Sequence, residues 1–150
     1  MKIIRFYRTN EAYGEFSNFS KHGFIDDQGL FWLTVEHYFQ ANKFIDKSIQ
    51  ENIRQLNSPM DAATAGRDRK KPLRPDWEVV KDDIMRFSVL EKFKQNLDIQ
   101  NILLSTHNAL IIEHTTNDFY WADGGDGSGK NMLGIILMET REILLSEEKI

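Results

Sequence analysis

The interval at which apolar residues return restricts this chain more than any other feature. In its two longest patterned stretches that interval is helical. Val80, Ile84, Phe87 and Leu90 mark one face of a segment from Trp77 to about Leu97, which Asp76 precedes as a cap. Leu133, Ile136, Leu137, Thr140 and Leu144 do the same from about Met132 to Leu145. Shorter helices are predicted from Val35 to about Ile45 behind Thr34, from Ser48 to Leu56, from Ser58-Pro59 to near Gly66, and from Asp98 to Ser105. The β-forming runs are brief: Lys2 to Arg8, a hairpin over His22 to Leu33 turning at Asp26-Asp27-Gln28-Gly29, and Leu110 to His114. The fold class expected is α+β, a predominantly helical single domain with a small β-sheet.

At 150 residues, with no repeat or Gly/Ser/Pro-rich linker, the chain suits one domain over residues 1–150. A domain of that size buries roughly 70% of the surface its unfolded chain exposes. Ten Phe, three Trp and four Tyr supply the core and argue against disorder. The absence of cysteine excludes disulfides, thiolate nucleophiles and Cys-ligated zinc. The opening residues show neither an apolar h-region nor a small-residue cleavage site, and no run approaches membrane-spanning length, so a cytoplasmic protein without membrane partners is expected. A net charge of -4 lacks the basic footprint of a DNA-binding domain. A local basic run (Arg67, Arg69, Lys70, Lys71, Arg74) is either a solvated loop or a phosphate-contacting arm.

Three segments could carry chemistry. Glu36, Gln40 and Lys43 follow one another at spacings of four and three, so on a helix they share a face, among Phe31, Trp32, Tyr38 and Phe39. A carboxylate beside aromatic surface is partly desolvated and can exchange protons near neutral pH; an exposed stripe with a Glu–Lys contact is the plainer account. Asp118 stands before Phe119, Tyr120 and Trp121, either as a functional acid or as an Asx turn feeding an aromatic core. Ser17 and Asn18 lie between Phe16 and Phe19, a pattern that suits a planar base or, equally, two core anchors, and Trp77 has the same two readings.

The loop from Gly124 to Asn131 matches the phosphate-loop pattern G-x-x-x-x-G-K-[ST] until its last position, where Asn131 lacks the hydroxyl that holds magnesium; a P-loop NTPase is therefore rejected. The amides near Ser128 to Asn131 still suggest an anion site at a helix start. His22, His37, His107 and His114 have no metal-binding spacing, so no metal is expected.

Taken together, EFSNF (Glu15–Phe19), WLTVEHYFQANKF (Trp32–Phe44), Ala65-Gly66-Arg67, RPDW (Arg74–Trp77), Met85 with KFKQN (Lys92–Asn96), and DFYWADGGDGSGKNMLGIILMETR (Asp118–Arg141) resemble the YbiA-like, or NADAR, family, in family order over nearly the whole chain. One departure is Ala122, where relatives often carry Gly.

The resemblance implies hydrolysis of N-glycosidic bonds without a cofactor. One branch of the family acts on ribosylamino intermediates of riboflavin biosynthesis, and another removes ADP-ribose from nucleobases. The expected partner is thus a nucleotide-like small molecule or an ADP-ribosylated nucleic acid; a non-catalytic ADP-ribose-binding module is the alternative. Family residues fall on Glu36 and Asp118 as the catalytic acids. Substrate contacts are expected from Ser17, Asn18, Phe19, Gln40, Lys43, Arg67, Trp77, Tyr120, Trp121 and Asn131.

Overall fold

The structure, a computed structural model, describes residues 2–148. Backbone packing divides them into two compact units, one of residues 21–95 and one that joins residues 2–20 to 96–148. The fold is mixed α+β and helix-dominated. Among the described residues the strands divide into two sheets of two strands each.

In the unit of residues 21–95, β2 (Phe24–Ile25) and β3 (Phe31–Trp32) pair antiparallel as the predicted hairpin. The Asp26 carboxylate accepts from the amides of Gln28 and Leu30 and from Trp32 Nε1, which fastens the turn to the strand that follows it. Helices α1 (Val35–Ala41), α2 (Lys47–Arg54), α3 (Pro59–Gly66) and α4 (Trp77–Gln95) follow. The side chains of Thr34, Asp46 and Ser58 cap the first three, and Pro59 opens α3 where its missing N–H has no partner to lose. Helix α1 lies at the centre, packed against α2, α3 and α4. Phe24, Val35, Ala41, Phe44, Ala62 and Phe93 are fully buried around it. Each large apolar side chain buried in this way contributes about 1.5–3 kcal/mol.

Two expectations fail here. Helix α1 ends at Ala41, not near Ile45: Asn42 Nδ2 donates to the Tyr38 carbonyl at 2.7 Å, and the Arg74 amide donates to the Lys43 carbonyl at 2.8 Å. Lys43 therefore stands in a turn rather than on the helical face of Glu36. Helix α4 buries Trp77, Met85, Ser88, Val89, Lys92 and Phe93, whereas Val80, Ile84, Phe87 and Leu90 are only half-buried. The inner face is turned by one position because it includes a serine and a lysine, which an apolar pattern cannot reveal.

In the other unit, β1 (Ile3–Phe6) pairs parallel with β4 (Leu110–Glu113), Ile3 opposite Leu110. Ile4, Phe6 and Ile111 are buried. Helix α6 (Met132–Glu148) packs on β4, with α5 (Leu97–Leu104) beside it. All five residues expected on the inner face of α6 are buried. Gly134 lets α6 approach closely, since a Cβ there would meet the Ile111 carbonyl. A 3-10 turn, Gly14–Phe16, sets Phe16 edge-on to Phe6 at 5.8 Å.

Candidate active site

Five of the expected site residues fall within residues 21–95: Glu36, Gln40, Lys43, Arg67 and Trp77. Glu36 stands in the first turn of α1 and is only 9% exposed. Of the predicted stripe, Glu36 and Gln40 are buried, whereas Lys43 is half-buried in the turn beyond the helix. Gln40, one turn on and 5% exposed, donates from Nε2 to Glu36 Oε2 at 2.7 Å. His37, between them, faces elsewhere. Its Nε2 lies 2.9 Å from the Leu56 carbonyl, which can only accept, so the proton sits on Nε2 and Nδ1 accepts from Thr34 Oγ1 at 2.8 Å. Burial lowers its pKa, and the imidazole acts as a neutral brace.

Lys43 Nζ lies 5.7 Å from the Phe39 ring centre and 6.0 Å from that of Trp77. The two rings meet edge to face at 5.0 Å, and both are buried. Burial pushes the Lys43 ammonium down, Arg69 and Arg67 push it further and Glu36 pulls it back, leaving a pKa of about 8. This unit therefore gathers a buried acid, an amide that holds it, two aromatic rings and a cation tuned close to neutrality. Of the basic run, Arg74 is already bound to Asp76 at 2.7 Å and to the Asn42 carbonyl, so it braces the turn that carries Lys43.

The remaining residues belong to the other unit. Asp118 Oδ1 accepts from the Tyr120 amide at 2.8 Å and the Trp121 amide at 2.7 Å, the Asx-turn geometry. The aromatics after it do not form a core: Phe119 is 58% exposed and the Tyr120 and Trp121 rings are half-buried, edge to face at 4.9 Å. Ser17 is buried and its Oγ accepts from the Phe19 amide at 3.1 Å; Asn18 and Phe19 are half-buried.

A sequence profile of the NADAR domain matches residues 5–145. The chain belongs to the NADAR domain family. It is 52% identical to the N-glycosidase YbiA of Escherichia coli over 97% of this chain and 91% of that one. The NMR structure of E. coli YbiA superposes with a TM-score of 0.91, covering 98% of this chain and 87% of the other. An N-glycosidase of Nostoc punctiforme is 44% identical over 93% of this chain and 90% of its own. A riboflavin biosynthesis protein of Vibrio vulnificus is 40% identical over 94% of this chain but 38% of that longer protein.

Within this NADAR domain the glycine-rich loop does not offer the anion site its sequence suggested. The amides of Ser128, Gly129, Lys130 and Asn131 donate to Asp126 Oδ1 and to the carbonyls of Asp123, Phe119 and Ala122. Those of Met132 and Leu133 donate to Tyr120 and Trp121, which satisfies the start of α6 from within the loop. Asn131, at a φ of 56°, turns its side chain inward: Oδ1 accepts from the Glu113 amide and Nδ2 donates to the Ile111 carbonyl, both at 2.9 Å.

Sequence reasoning missed the hub of this loop. Buried Asp123 accepts from His114 Nδ1 at 2.7 Å, from the Gly125 amide at 2.8 Å and from the Thr115 amide at 3.1 Å. Burial pushes its carboxyl up, but these three donors outweigh that and hold it below the usual carboxylate range. A cavity of about 310 Å³ beside it is lined by Arg5, Leu110, Ile112, His114, Asp126 and neighbouring glycines; of the expected site residues only Asn131 borders it. The signal in the sequence was Asp123 ahead of Gly124-Gly125, since glycines at positive φ free amides to converge on one acid.

Proposed function

We propose that this NADAR domain hydrolyses the N-glycosidic bond between a phosphorylated ribose, or ADP-ribose, and a nitrogenous base, and that it does so in the cytoplasm. The hydrolase class follows from full-length kinship with proteins named N-glycosidases. The observation that carries the assignment of residues is Glu36: a buried carboxylate, held by an amide and electrostatically coupled to Lys43, whose ammonium lies over two aromatic rings.

In the reaction, water oxygen bonds to the anomeric carbon as the carbon–nitrogen bond breaks. Positive charge builds on the sugar ring, and a fixed carboxylate lowers its energy. The proton lost by water passes to a carboxylate, and the departing nitrogen takes up a proton. Glu36 is the acid we assign to this work. Asp118 is the second, on the strength of the family motif. Lys43, with Arg67, supports an anionic substrate, the ammonium holding the phosphate. The Vibrio relative's name favours a riboflavin-pathway ribosylamino phosphate over an ADP-ribosylated base.

The test is base release from both substrates, followed by chromatography. Release from either one, stoichiometric with free sugar, supports the proposal. Thermal stabilisation by ADP-ribose with no turnover of either would overturn it in favour of a binding module.

A further inference from the structure

We propose that Gln40 is a positioning residue that fixes the Glu36 carboxylate, and that Gly66 exists as glycine to hold Gln40 in place. The proposal rests on Glu36 taking part in the chemistry, and it reassigns Gln40 from touching substrate to aiming the acid.

Gln40 is 5% exposed, so water does not compete for its bond to Glu36. The orientation of its amide is forced. Nε2 must face the carboxylate, because turning the amide over would set two acceptors against each other. Oε1 then points away, is buried, and has no hydrogen-bond partner among the described residues. A buried carbonyl left in that state is unfavourable, and an apolar side chain of the same shape would avoid the penalty. The donation to Glu36 compensates for that penalty.

Gly66 gives the second observation. It ends α3 with an ordinary helical backbone rather than a positive φ, so conformational freedom does not explain the glycine. Space does. A Cβ at residue 66 would run into Gln40 Oε1, and would lie 2.7 Å from Gln40 Cδ and 3.0 Å from Gln40 Cβ. A larger residue at position 66 would drive the carboxamide off its line to Glu36. The last turn of one helix thus sets the side-chain angle of an amide on another, and the amide sets the acid.

A hydrogen bond to the ionised form lowers a carboxyl pKa and fixes its rotamer. Gln40→Met keeps the volume and removes the donor, so the Glu36 carboxyl should titrate at a pH higher by about one unit. The readout is carbon-13 NMR of carboxyl-labelled protein, the Glu36 signal assigned by its loss in Glu36→Gln. Base release should show the acid limb of kcat/KM moving by the same amount, with kcat lower by roughly 10- to 100-fold and KM nearly unchanged. Gly66→Ala, which displaces the amide without deleting it, should move the titration in the same direction and serves if Gln40→Met folds poorly. Titration curves of both folded variants that superimpose on the wild type would overturn the proposal. If the curves move while Glu36→Gln retains full turnover, Gln40 does hold Glu36 and it is the catalytic assignment of Glu36 that fails.

Discussion

The two acids assigned to this enzyme are held in opposite ways. Glu36 is buried on a helix, gripped by a side chain, Gln40, and electrostatically coupled to Lys43. Asp118 sits in a turn and is gripped by two backbone amides. A side-chain grip can be tuned by a single substitution without disturbing the chain trace. A backbone grip makes the acid part of the turn itself, so its removal mixes chemistry with folding. The same contrast extends outward: polar side chains organise the surroundings of Glu36, while the loop after Asp118 is held by main-chain amides converging on Asp123.

The largest effects belong to neutral isosteres, which remove each charge and keep each grip, so the two acids should respond alike. Glu36→Gln should lower turnover by ~100- to 10,000-fold, about 3–5 kcal/mol of barrier, with little change in the unfolding midpoint. Asp118→Asn should cost a similar factor, because an asparagine oxygen still accepts from the Tyr120 and Trp121 amides and leaves the turn intact. Full turnover in Asp118→Asn, measured by base release, would reduce that residue to a turn acceptor and break the pairing of the two acids.

Next in size is Asp123→Ala, which strands three donors and should lower the unfolding free energy by roughly 3 kcal/mol in urea titrations. The Asp123 pKa in the folded protein lies below its ordinary 3.8. Its contribution is therefore complete above about pH 4 and lost as pH falls through the folded value. Asp123→Ala should flatten the acid end of the stability curve; an unchanged acid limb would refute the role given to this residue.

Asp118→Ala should be less stable than Asp118→Asn by about 1 kcal/mol, the usual worth of a side-chain cap on backbone amides. Equal urea midpoints for the two would show that the backbone grip contributes nothing.

The last effect belongs to Lys43 and is read as a pH trend. Its pKa of about 8 lies below the ordinary 10.5, so below pH 8 the folded protein carries a disfavoured charge. Between about 8 and 10.5 the unfolded chain is protonated there and the folded one is not, so stability should rise with pH across that window. Loss of the ammonium should also raise KM for an anionic substrate above pH 8. Lys43→Met should abolish both trends, and their persistence in that variant would assign them elsewhere.

Much of the fold was legible from spacing. The inner face of α6 and the Ser58-Pro59 opening of α3 were visible because apolar period and capping chemistry are local. The face of α4 was misread because Ser88 and Lys92, polar by composition, are buried; Lys92 is 1% exposed. The end of α1 was missed because the Asn42 side chain and the distant Arg74 terminate it. At the site, the grouping of Glu36 with Gln40 could be read from a four-residue interval. That Gly66 abuts Gln40 could not, since twenty-five intervening residues set that approach. Asp123 escaped notice because its partners are mostly main-chain amides, which every residue but proline owns.

Asn131 has a consequence for the chain's life in a crowded solution. A two-stranded sheet leaves an open flank on each strand, and such flanks invite pairing with other molecules. On β4 the Ile111 carbonyl and both main-chain groups of Glu113 are among those that face outward. The Asn131 carboxamide and the Asp123 amide take all three. One side chain thus imitates the strand that is missing there and denies that border to a stranger's backbone.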